Sequence, residues 1–408
     1  MDNHDAPLAG YKVVVSGVHV MKARVSALFS AWGADVVEIA ARVTRGDGAR
    51  FVPPLHGHSD SYFFWTQNYG SRRNIALDLR KEEGREVAYR LLEDADVFAT
   101  NLPSKVLTLS GVAWEDLEER FPRLVGAYVS YAGSDGPDAD RTGYHHTAMA
   151  RLGIAMLASP AGPVLGAIPW IDHGTAGRLR ELILVALLQR ERTGRGCKVE
   201  TSLLEYGAET LGYHAALAWT PRLAQRVHVD GKQWDRHHTV PTLFMSRCSD
   251  GSRPVVGAVM QAQVAKLLRA LELEDLLDDE RFETAEGRRR NAHALLAIIH
   301  EKTRRMTGKE LVEVLEREGG VPVEAHQDIA SVRDDVQLVA REMIWEVEGP
   351  DGMPMTVPGI AGRVGDDRPN RERARRYAED TEDVLRELGY ADADIAALER
   401  HEAIYRSG

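Results

Sequence analysis

Short apolar runs alternate with longer stretches of helical periodicity over the first third of the chain. The first run is continuous, as expected of a strand that is buried on both faces of a parallel sheet, whereas Ile75, Leu77 and Leu79 alternate along their strand. The predicted strands are 11–16, 34–39, 75–79, 95–100 and 124–130, and the predicted helices between them include 25–32 and 82–92. This alternation predicts an α/β fold with a doubly wound, Rossmann-like parallel sheet.

The pattern changes after residue 220. A basic, histidine-rich segment, 221–238, has no clear periodicity and is predicted to be a linker between a large domain, 1–220, and a smaller one, 239–335. The smaller domain begins with a hairpin and continues with helices, which predicts an α+β architecture. Its predicted elements are strands 243–245 and 255–259 and helices 261–271, 292–303 and 308–318. The tail, 336–408, contains a hairpin around Gly352 and a last charged helix.

The stretch 167–205 contains the most informative pattern. A lone aspartate, Asp172, follows a short apolar segment and precedes a turn of small residues, 174–177. From Leu179 the chain reads as a long helix that is apolar on nearly every side, which predicts burial, and Gly194 is placed to end it. Asp172 has two interpretations: it caps the helix, or it is a nucleophile beside glycine-lined backbone. The spacing alone favours capping.

The whole stretch resembles the signature of the class III CoA-transferases. In that family an aspartate precedes a small-residue turn and a long apolar helix, which ends in Arg-Thr-Gly-Arg-Gly before a strand with Ser-Leu-Leu. The sequence has these two motifs at 192–196 and 202–204. The resemblance implies that Asp172 is the covalent nucleophile, and it reverses the preference for capping.

A mechanism and an assembly are also implied by the resemblance. Asp172 attacks an acyl-CoA thioester and forms a mixed anhydride and then an aspartyl-CoA thioester, and a small carboxylic acid finally accepts CoA. These intermediates need a site that excludes water and amide donors for the oxyanions, which the helix start after Asp172 can supply. Family members form interlocked homodimers, so the tail, 336–408, is expected to pack back on the large domain.

The resemblance covers nearly the whole chain and implies a set of CoA contacts. The opening, with Pro7-Leu8, Gly10 and the strand Val-Val-Val-Ser-Gly, is most similar to the L-carnitine CoA-transferases. The first strand-to-helix turn, two arginine-containing loops and the end of the 95–100 strand match positions that contact CoA in the family. The residues at these positions are Val18, His19, Arg42, Arg50, Arg72, Arg73 and Asn101.

Two positions depart from the family pattern. The first loop, 18–24, lacks the usual glycine and proline, although Lys22 and Arg24 offer positive charge there. Leu109 stands where the family has an arginine. Because each lost charge-assisted contact to phosphate weakens binding by about 1.5–3 kcal/mol, we expect CoA to bind more weakly than in a typical member.

Two other functions compete with CoA transfer. One is racemisation or isomerisation of an acyl-CoA, since related racemases carry a Gly-His-Asp motif with a proton-carrying histidine. This chain has Tyr144 at the histidine position and His145 one residue later, which disfavours that reaction. The other is a catalytically silent binding homologue, and the presence of Asp172 argues against it.

Composition limits the partners and the compartment. The formal net charge of −11 argues against nucleic acid or an anionic membrane surface as a main partner. The two cysteines have no metal-ligand spacing, no apolar run reaches membrane-spanning length, and the N-terminus does not resemble a signal peptide. We therefore expect a cytoplasmic protein, and the resemblance implies an enzyme that uses acyl-CoA and a small carboxylic acid and needs no metal or redox cofactor.

Overall fold

The computed structural model describes residues 6–42, 72–157, 164–220, 240–349, 352–370, 372–373 and 375–407. The chain forms two compact units. The first consists of Met1–Gly212 together with Gln337–Gly408, and the second is Tyr213–Val336. The predicted linker, 221–238, lies outside the described residues.

The first unit contains an α/β sheet with helices on both faces. Its strands are β1 (Lys12–Ser16), β2 (Asp35–Ala41), β3 (Arg73–Leu77), β4 (Val97–Thr100), β5 (Val125–Ser130), β6 (Lys198–Ser202) and β12 (Ile404–Tyr405). Its helices before residue 213 are α1 (His19–Ala31), α2 (Glu82–Glu93), α3 (Ser104–Leu109), α4 (Trp114–Leu117), α5 (His145–Arg151), α6 (Ile154–Leu157), α7 (Trp170–Thr193) and the first part of α8 (Leu203–Trp219).

Within the described residues, seven strands form one sheet in the order β12-β3-β2-β1-β4-β5-β6. Strands β1 to β6 pair in parallel, and β12 adds to the edge antiparallel to β3. The order reverses between β1 and β4. In such sheets ligands bind outside the carboxyl ends of the strands near that reversal, so this edge is where a site is expected.

Two apolar layers cover the sheet. On one face, α1 and α7 pack against valines and alanines of the central strands. On the opposite face, α2 packs together with α14 (Thr381–Glu387) and α15 (Asp392–Arg400). The C-terminal segment is thus part of the first unit, and β12 completes its sheet edge.

Helix α7 differs from the sequence expectation at both its start and its outer face. It begins at Trp170 directly after Pro169, so the segment 174–177 is helical and does not form a turn. A proline is tolerated there because the first helical positions need no amide donor. The prediction of all-round burial was wrong for a single chain, since Val185 and Leu188 are 60% and 68% exposed. Gly194, with φ of 71°, ends the helix as predicted.

Helix α1 also begins earlier than predicted. It starts at His19, so most of the segment read as a loop, 18–24, is helical. Helix α8 is interrupted at Gly212, where φ is 48° and ψ is −126°, and this residue ends the first compact unit.

The second unit is a small α+β structure. Its strands are β7 (Leu243–Met245), β8 (Val255–Gly257) and β9 (Val323–Glu324), and β7 and β8 form the predicted antiparallel hairpin. Its helices are α9 (Gln261–Ala270), α10 (Ala285–Arg290), α11 (Ala292–Thr303) and α12 (Gly308–Glu318), with short 3₁₀ helices at Glu274–Leu277 and Val332–Asp334. The α13 helix (Val336–Ala340) leads back to the first unit, where β10 (Ile344–Glu348) and β11 (Pro354–Pro358) form the predicted hairpin. Among the residues described, none of the helices combines the length and apolarity needed to cross a membrane.

Candidate active site

Asp172 lies in the first turn of α7 and is partly buried. It is not the N-cap, because Pro169 holds that position. The capping interpretation is therefore wrong in its strict form. A carboxylate in the first turn still benefits from the positive end of the helix dipole, so its ionised form is stabilised where a nucleophile needs it.

The helix start that carries Asp172 is fixed by a histidine. The backbone amide of Ile171 donates to Nδ1 of His145 over 3.3 Å. His145 is 2% exposed and its ring contacts the Trp170 ring edge to face. Burial, with a smaller effect of His146, lowers the pKa of His145. The ring is thus neutral, with Nδ1 as acceptor and the proton on Nε2.

The amides at this helix start are mostly occupied. The amide of Trp170 donates to the carbonyl of Ile168, that of Ile171 to His145, and that of His173 to the carbonyl of Pro169. Of these three, only the His173 amide belongs to the helix start after Asp172, where oxyanion donors are expected, and it is already bonded to Pro169.

An open cleft of about 550 Å³ runs along the first turns of α7, and residues on either side of Asp172 in the chain belong to its lining. Its lining includes Trp170, His173, Gly174 and Tyr206. A Cβ at Gly174 would lie 2.1 Å from ring carbons of Tyr206, which no side chain can tolerate. Glycine is therefore required here because the tyrosine ring packs directly on the helix backbone.

Two arginines face His173 at the same end of the molecule. Arg180 follows on α7, and its Nη1 donates to the backbone carbonyl of Arg24 on α1 over 2.9 Å. Burial, followed by the charges of Arg24, Arg180 and His145, lowers the pKa of His173 to about 4. At neutral pH the imidazole next to Asp172 is therefore uncharged.

A second feature lies at the carboxyl edge of the sheet, where β1 and β4 end. The side chain of Asn101 accepts from the amide of Val18 over 2.8 Å and donates to the carbonyl of the same residue over 2.9 Å. A Cβ at Gly17 would lie 2.3 Å from Asn101 Oδ1. The structure thus brings together two predicted CoA contacts, Val18 and Asn101, in one rigid turn.

The sequence model of CoA-transferase family III matches residues 8–376 of this chain. The chain belongs to CoA-transferase family III. It is 26% identical to the cinnamoyl-CoA:phenyllactate CoA-transferase of Clostridium sporogenes, over 99% of this chain and 98% of that protein. It is 25% identical to the human succinyl-CoA:glutarate CoA-transferase, over 90% and 82% of the two chains.

Solved structures place this CoA-transferase in the same fold. A CaiB/BaiF family protein from Brucella suis superimposes with a TM-score of 0.79 at 27% identity, over 94% of this chain and 99% of that one. Rv3272 from Mycobacterium tuberculosis, at 21% identity, superimposes with a TM-score of 0.81 over 93% and 99%. The recognition of the family from sequence is confirmed, whereas the particular similarity to L-carnitine CoA-transferases stays a prediction.

Arg72 does not lie where a CoA phosphate could reach it. Its side chain is buried, and its Nη1 contacts Glu38 at 3.1 Å, Ser26 Oγ at 2.5 Å and the carbonyl of Ala23 at 3.0 Å. Lys22, the cation offered by the first helix, is also buried and contacts Glu38 at 3.4 Å. In the CoA-transferase both cations therefore neutralise one buried carboxylate, and the predicted phosphate contact of Arg72 is corrected.

Arg73 is likewise committed to the protein. It forms a two-pronged ion pair with Asp35, at 2.7 and 2.8 Å, and a further one with Glu387 of α14. Arg73 begins β3 and Asp35 begins β2, so this network lies at the amino edge of the parallel strands. Because ligands bind at the carboxyl edge, the geometry assigns Arg73 to anchoring the C-terminal segment.

Two of the remaining predicted contacts, His19 and Arg42, follow strands at the carboxyl edge of the sheet. Arg42 follows β2, donates from Nε to the carbonyl of Ile404 and pairs with Glu402 at 3.4 Å. His19 is the first residue of α1, and its side chain lies outside the described part of the chain. Arg50 lies outside the described residues altogether.

Sequence reasoning missed the roles of three residues in this CoA-transferase. His145 was considered only as a proton carrier, yet it accepts the Ile171 amide at the start of the helix. Arg180 was not singled out, although a seven-residue spacing from His173 places both on one face of α7. Tyr206 gave no local signal, because its contact with Gly174 is set by tertiary packing.

Proposed function

We propose that this CoA-transferase moves CoA from an acyl-CoA to a carboxylic acid through covalent intermediates on Asp172. A carboxylate oxygen of Asp172 attacks the thioester carbon, the carbon–sulfur bond breaks, and CoA thiolate leaves a mixed anhydride. The thiolate then attacks the aspartyl carbonyl and the donor acid departs. The acceptor carboxylate attacks the resulting aspartyl-CoA thioester, the carbon–sulfur bond breaks, and a second mixed anhydride forms. The released thiolate then attacks the acceptor acyl carbon of this anhydride, which gives the new acyl-CoA and regenerates the Asp172 carboxylate.

The observation that supports this proposal best is the place of Asp172. It occupies the aspartate position of the family signature, in the first helical turn and directly before His173, which lines an open cleft. The helix dipole favours its ionised, nucleophilic form. The bond between Ile171 and the buried His145 fixes the backbone that carries it, and such fixed geometry lowers the cost of reaching the reactive arrangement.

We infer that the first unit is a Rossmann-like CoA-binding domain. The strand order reverses between β1 and β4, and the turn held by Val18 and Asn101 lies at that point. We assign CoA to this edge, with Val18, His19 and Asn101 beside the nucleotide and Arg42 and Arg50 near its phosphates. With Arg72 and Arg73 committed elsewhere, the phosphate grip is weaker than the motifs alone suggest.

We also propose a homodimer. The outer face of α7 carries exposed apolar side chains, Val185 and Leu188. A second copy that covers this face would remove them from water, which stabilises the dimer by about 25 cal/mol per Å² of apolar area buried.

Light scattering should give twice the monomer mass at micromolar concentration, and Leu188→Glu should shift the mass toward the monomer. A wild-type monomer in this measurement would contradict the dimer.

The geometry favours transfer over racemisation. A racemase needs a histidine that can reach the substrate, whereas His145 is buried and its Nδ1 already accepts the Ile171 amide. Tyr144, at the position of the racemase histidine, is 66% exposed and has no basic nitrogen.

Both cysteines are free thiols, in keeping with our proposal of a cytoplasmic enzyme.

Trapping of the covalent intermediate tests the proposal. After incubation with an acyl-CoA and hydroxylamine, peptide mass spectrometry should find a hydroxamate on the peptide that contains Asp172. Asp172→Asn should lose the adduct and transferase activity, while Glu209→Gln, which changes a surface carboxylate bound to Arg178, should retain both. Full transfer by Asp172→Asn, or an adduct on another residue, would refute the mechanism.

A further inference from the structure

Positive charge in and next to the cleft along α7 is left without an ion-pair partner by the described residues. The charges belong to Arg24 on α1 and Arg180 on α7, two helices that pack against each other. The Arg180 guanidinium donates to the backbone carbonyl of Arg24 at 2.9 Å. Nε of Arg24 is buried and has no hydrogen-bond partner among the residues described. Within the described part of the chain, neither guanidinium lies within ion-pair distance of a carboxylate.

The acid next to Arg180 in the chain does not balance the charges of the two arginines. Glu181 follows Arg180 directly, but its carboxylate pairs with Arg178 at 2.7 Å, and Arg178 also pairs with Glu209 at 2.7 Å. Burial and then the charge of Arg24 lower the pKa of Arg180, with Glu181 opposing them. A guanidinium stays protonated under all ordinary conditions. Two such cations held together in a partly buried place therefore carry a standing electrostatic cost that an anion would remove.

The cluster lies about two helical turns from Asp172 along α7. Arg180 is eight residues after Asp172, about 12 Å of helix axis at 1.5 Å per residue. Long side chains on a helix point back toward its N-terminus, which shortens this gap. His173 connects the two, because it follows Asp172 in the chain and is within the electrostatic range of both arginines.

We propose that Arg24, His173 and Arg180 bind the second acid group of a dicarboxylic acceptor whose other carboxylate reacts at Asp172. This assignment rests on the proposed function and deepens it by naming the substrate class. Arg180, with planar guanidinium donors on the cleft wall, suits a carboxylate. A neutral His173 adds a donor without adding charge. Monocarboxylic acids leave the cluster unpaired and are poorer acceptors.

Direct binding is the first test, and it does not require CoA chemistry. Calorimetry with the full-length protein compares glutarate with pentanoate, which has the same number of carbons but one carboxylate. Wild type should bind glutarate at least tenfold more tightly than pentanoate. Arg180→Gln should weaken glutarate binding about tenfold and leave pentanoate unchanged. Arg178→Gln removes the same charge from the same helix at a site already paired with two acids, and should change neither.

Steady-state transfer from one acyl-CoA donor is the second test. Arg180→Gln should raise KM for glutarate about tenfold with little change in kcat, and it should leave both constants for pentanoate unchanged. Equal losses for both acids, or none for either, would overturn the diacid assignment. Inorganic phosphate is added as a competitor, and displacement of glutarate by equimolar phosphate would also overturn it, since the site would then select charge and not a carboxylate.

The two tests separate this inference from the covalent mechanism. If Arg180→Gln weakens glutarate binding about tenfold but the protein shows no Asp172 adduct, the anion site is supported and the covalent mechanism is refuted. An Asp172 adduct together with equal transfer to glutarate and pentanoate would support the covalent mechanism and refute the anion site. Asp172→Asn should keep glutarate binding in calorimetry although transfer is lost.

Discussion

Helix α1 carries two cations, Lys22 and Arg24, only two residues apart, and the protein treats them in opposite ways. Lys22 faces a buried network in which Glu38 also meets Arg72 and Ser26. Arg24 faces α7, where the neighbouring side chains are His173 and Arg180. The first cluster joins two cations to one carboxylate. The second joins two cations and has no acid at ion-pair distance in the described part of the chain.

This difference separates structure from function. Burial alone would raise the pKa of Glu38, but the charges of Lys22 and Arg72 and the hydrogen bonds from Ser26 and Lys22 lower it to about 2. The folded protein has thus supplied every partner that this carboxylate needs. The cluster of Arg24 and Arg180 has no such partner among the residues that the structure describes. We take the first as a device that holds α1, β2 and the start of β3 together, and the second as a binding site.

The largest expected effect comes from breaking the matched cluster. Glu38→Gln leaves the buried charges of Lys22 and Arg72 without their acid, and removing one partner of a buried ion pair typically destabilises by about 3–5 kcal/mol. Urea unfolding followed by circular dichroism should show this loss. Arg180→Gln, which removes an unmatched charge, should change the unfolding free energy by less than about 1 kcal/mol. Similar losses in both variants would remove the distinction between the clusters.

Acid is the second way to break the matched cluster. The folded pKa of Glu38, about 2, lies below the ordinary value of 4.5. The ion pairs therefore contribute fully above pH 4.5 and lose their contribution as the pH falls toward 2. The shift corresponds to about 3 kcal/mol. Urea midpoints measured across this range should fall for wild type, and Glu38→Gln should show a flatter profile. Parallel profiles for the two proteins would contradict the assignment to Glu38.

Where local signals set an element, the sequence was enough to predict it. Helix α12 starts at Gly308 because Thr307 and Glu310 form a capping box, with bonds of 3.2 and 2.7 Å, and its predicted bounds are confirmed. The apolar runs likewise predicted the parallel strands, since burial on both faces demands them. The family motifs predicted the family, which the comparisons bear out.

Long-range contacts set the features that the sequence did not reveal. Helix α1 begins early after a turn fixed by Asn101, which lies 83 residues away in the chain. The 174–177 segment is helical, and Gly174 is packed under Tyr206 from the next helix. Arg72 looked like a phosphate ligand because its partner, Glu38, lies on a different strand. An arginine motif reports the charge of a segment, but whether that charge is available depends on the fold.

The last and smallest effect concerns His173, and it sharpens the unmatched cluster. The pKa of His173 is about 4 because burial and the charges of Arg24, Arg180 and His145 disfavour its protonated form. A carboxylate bound between the arginines offsets their charges, so glutarate should raise this pKa. Pentanoate, which does not engage the cluster, should leave it unchanged. Nuclear magnetic resonance titration of the ring Cε1–H, assigned with His173→Gln, measures the shift.

Arg180→Gln provides the matched comparison for this titration. Removing one of the two cations should raise the pKa of His173 in the protein without ligand, and it should abolish the further rise with glutarate. Arg178→Gln should behave as wild type, because the Arg178 charge is already balanced by Glu181 and Glu209. If glutarate lowers the pKa of His173 or leaves it unchanged in wild type, the diacid does not bind between these arginines. The positive charge beside Asp172 would then be no more available to an acid substrate than the buried charge of Arg72.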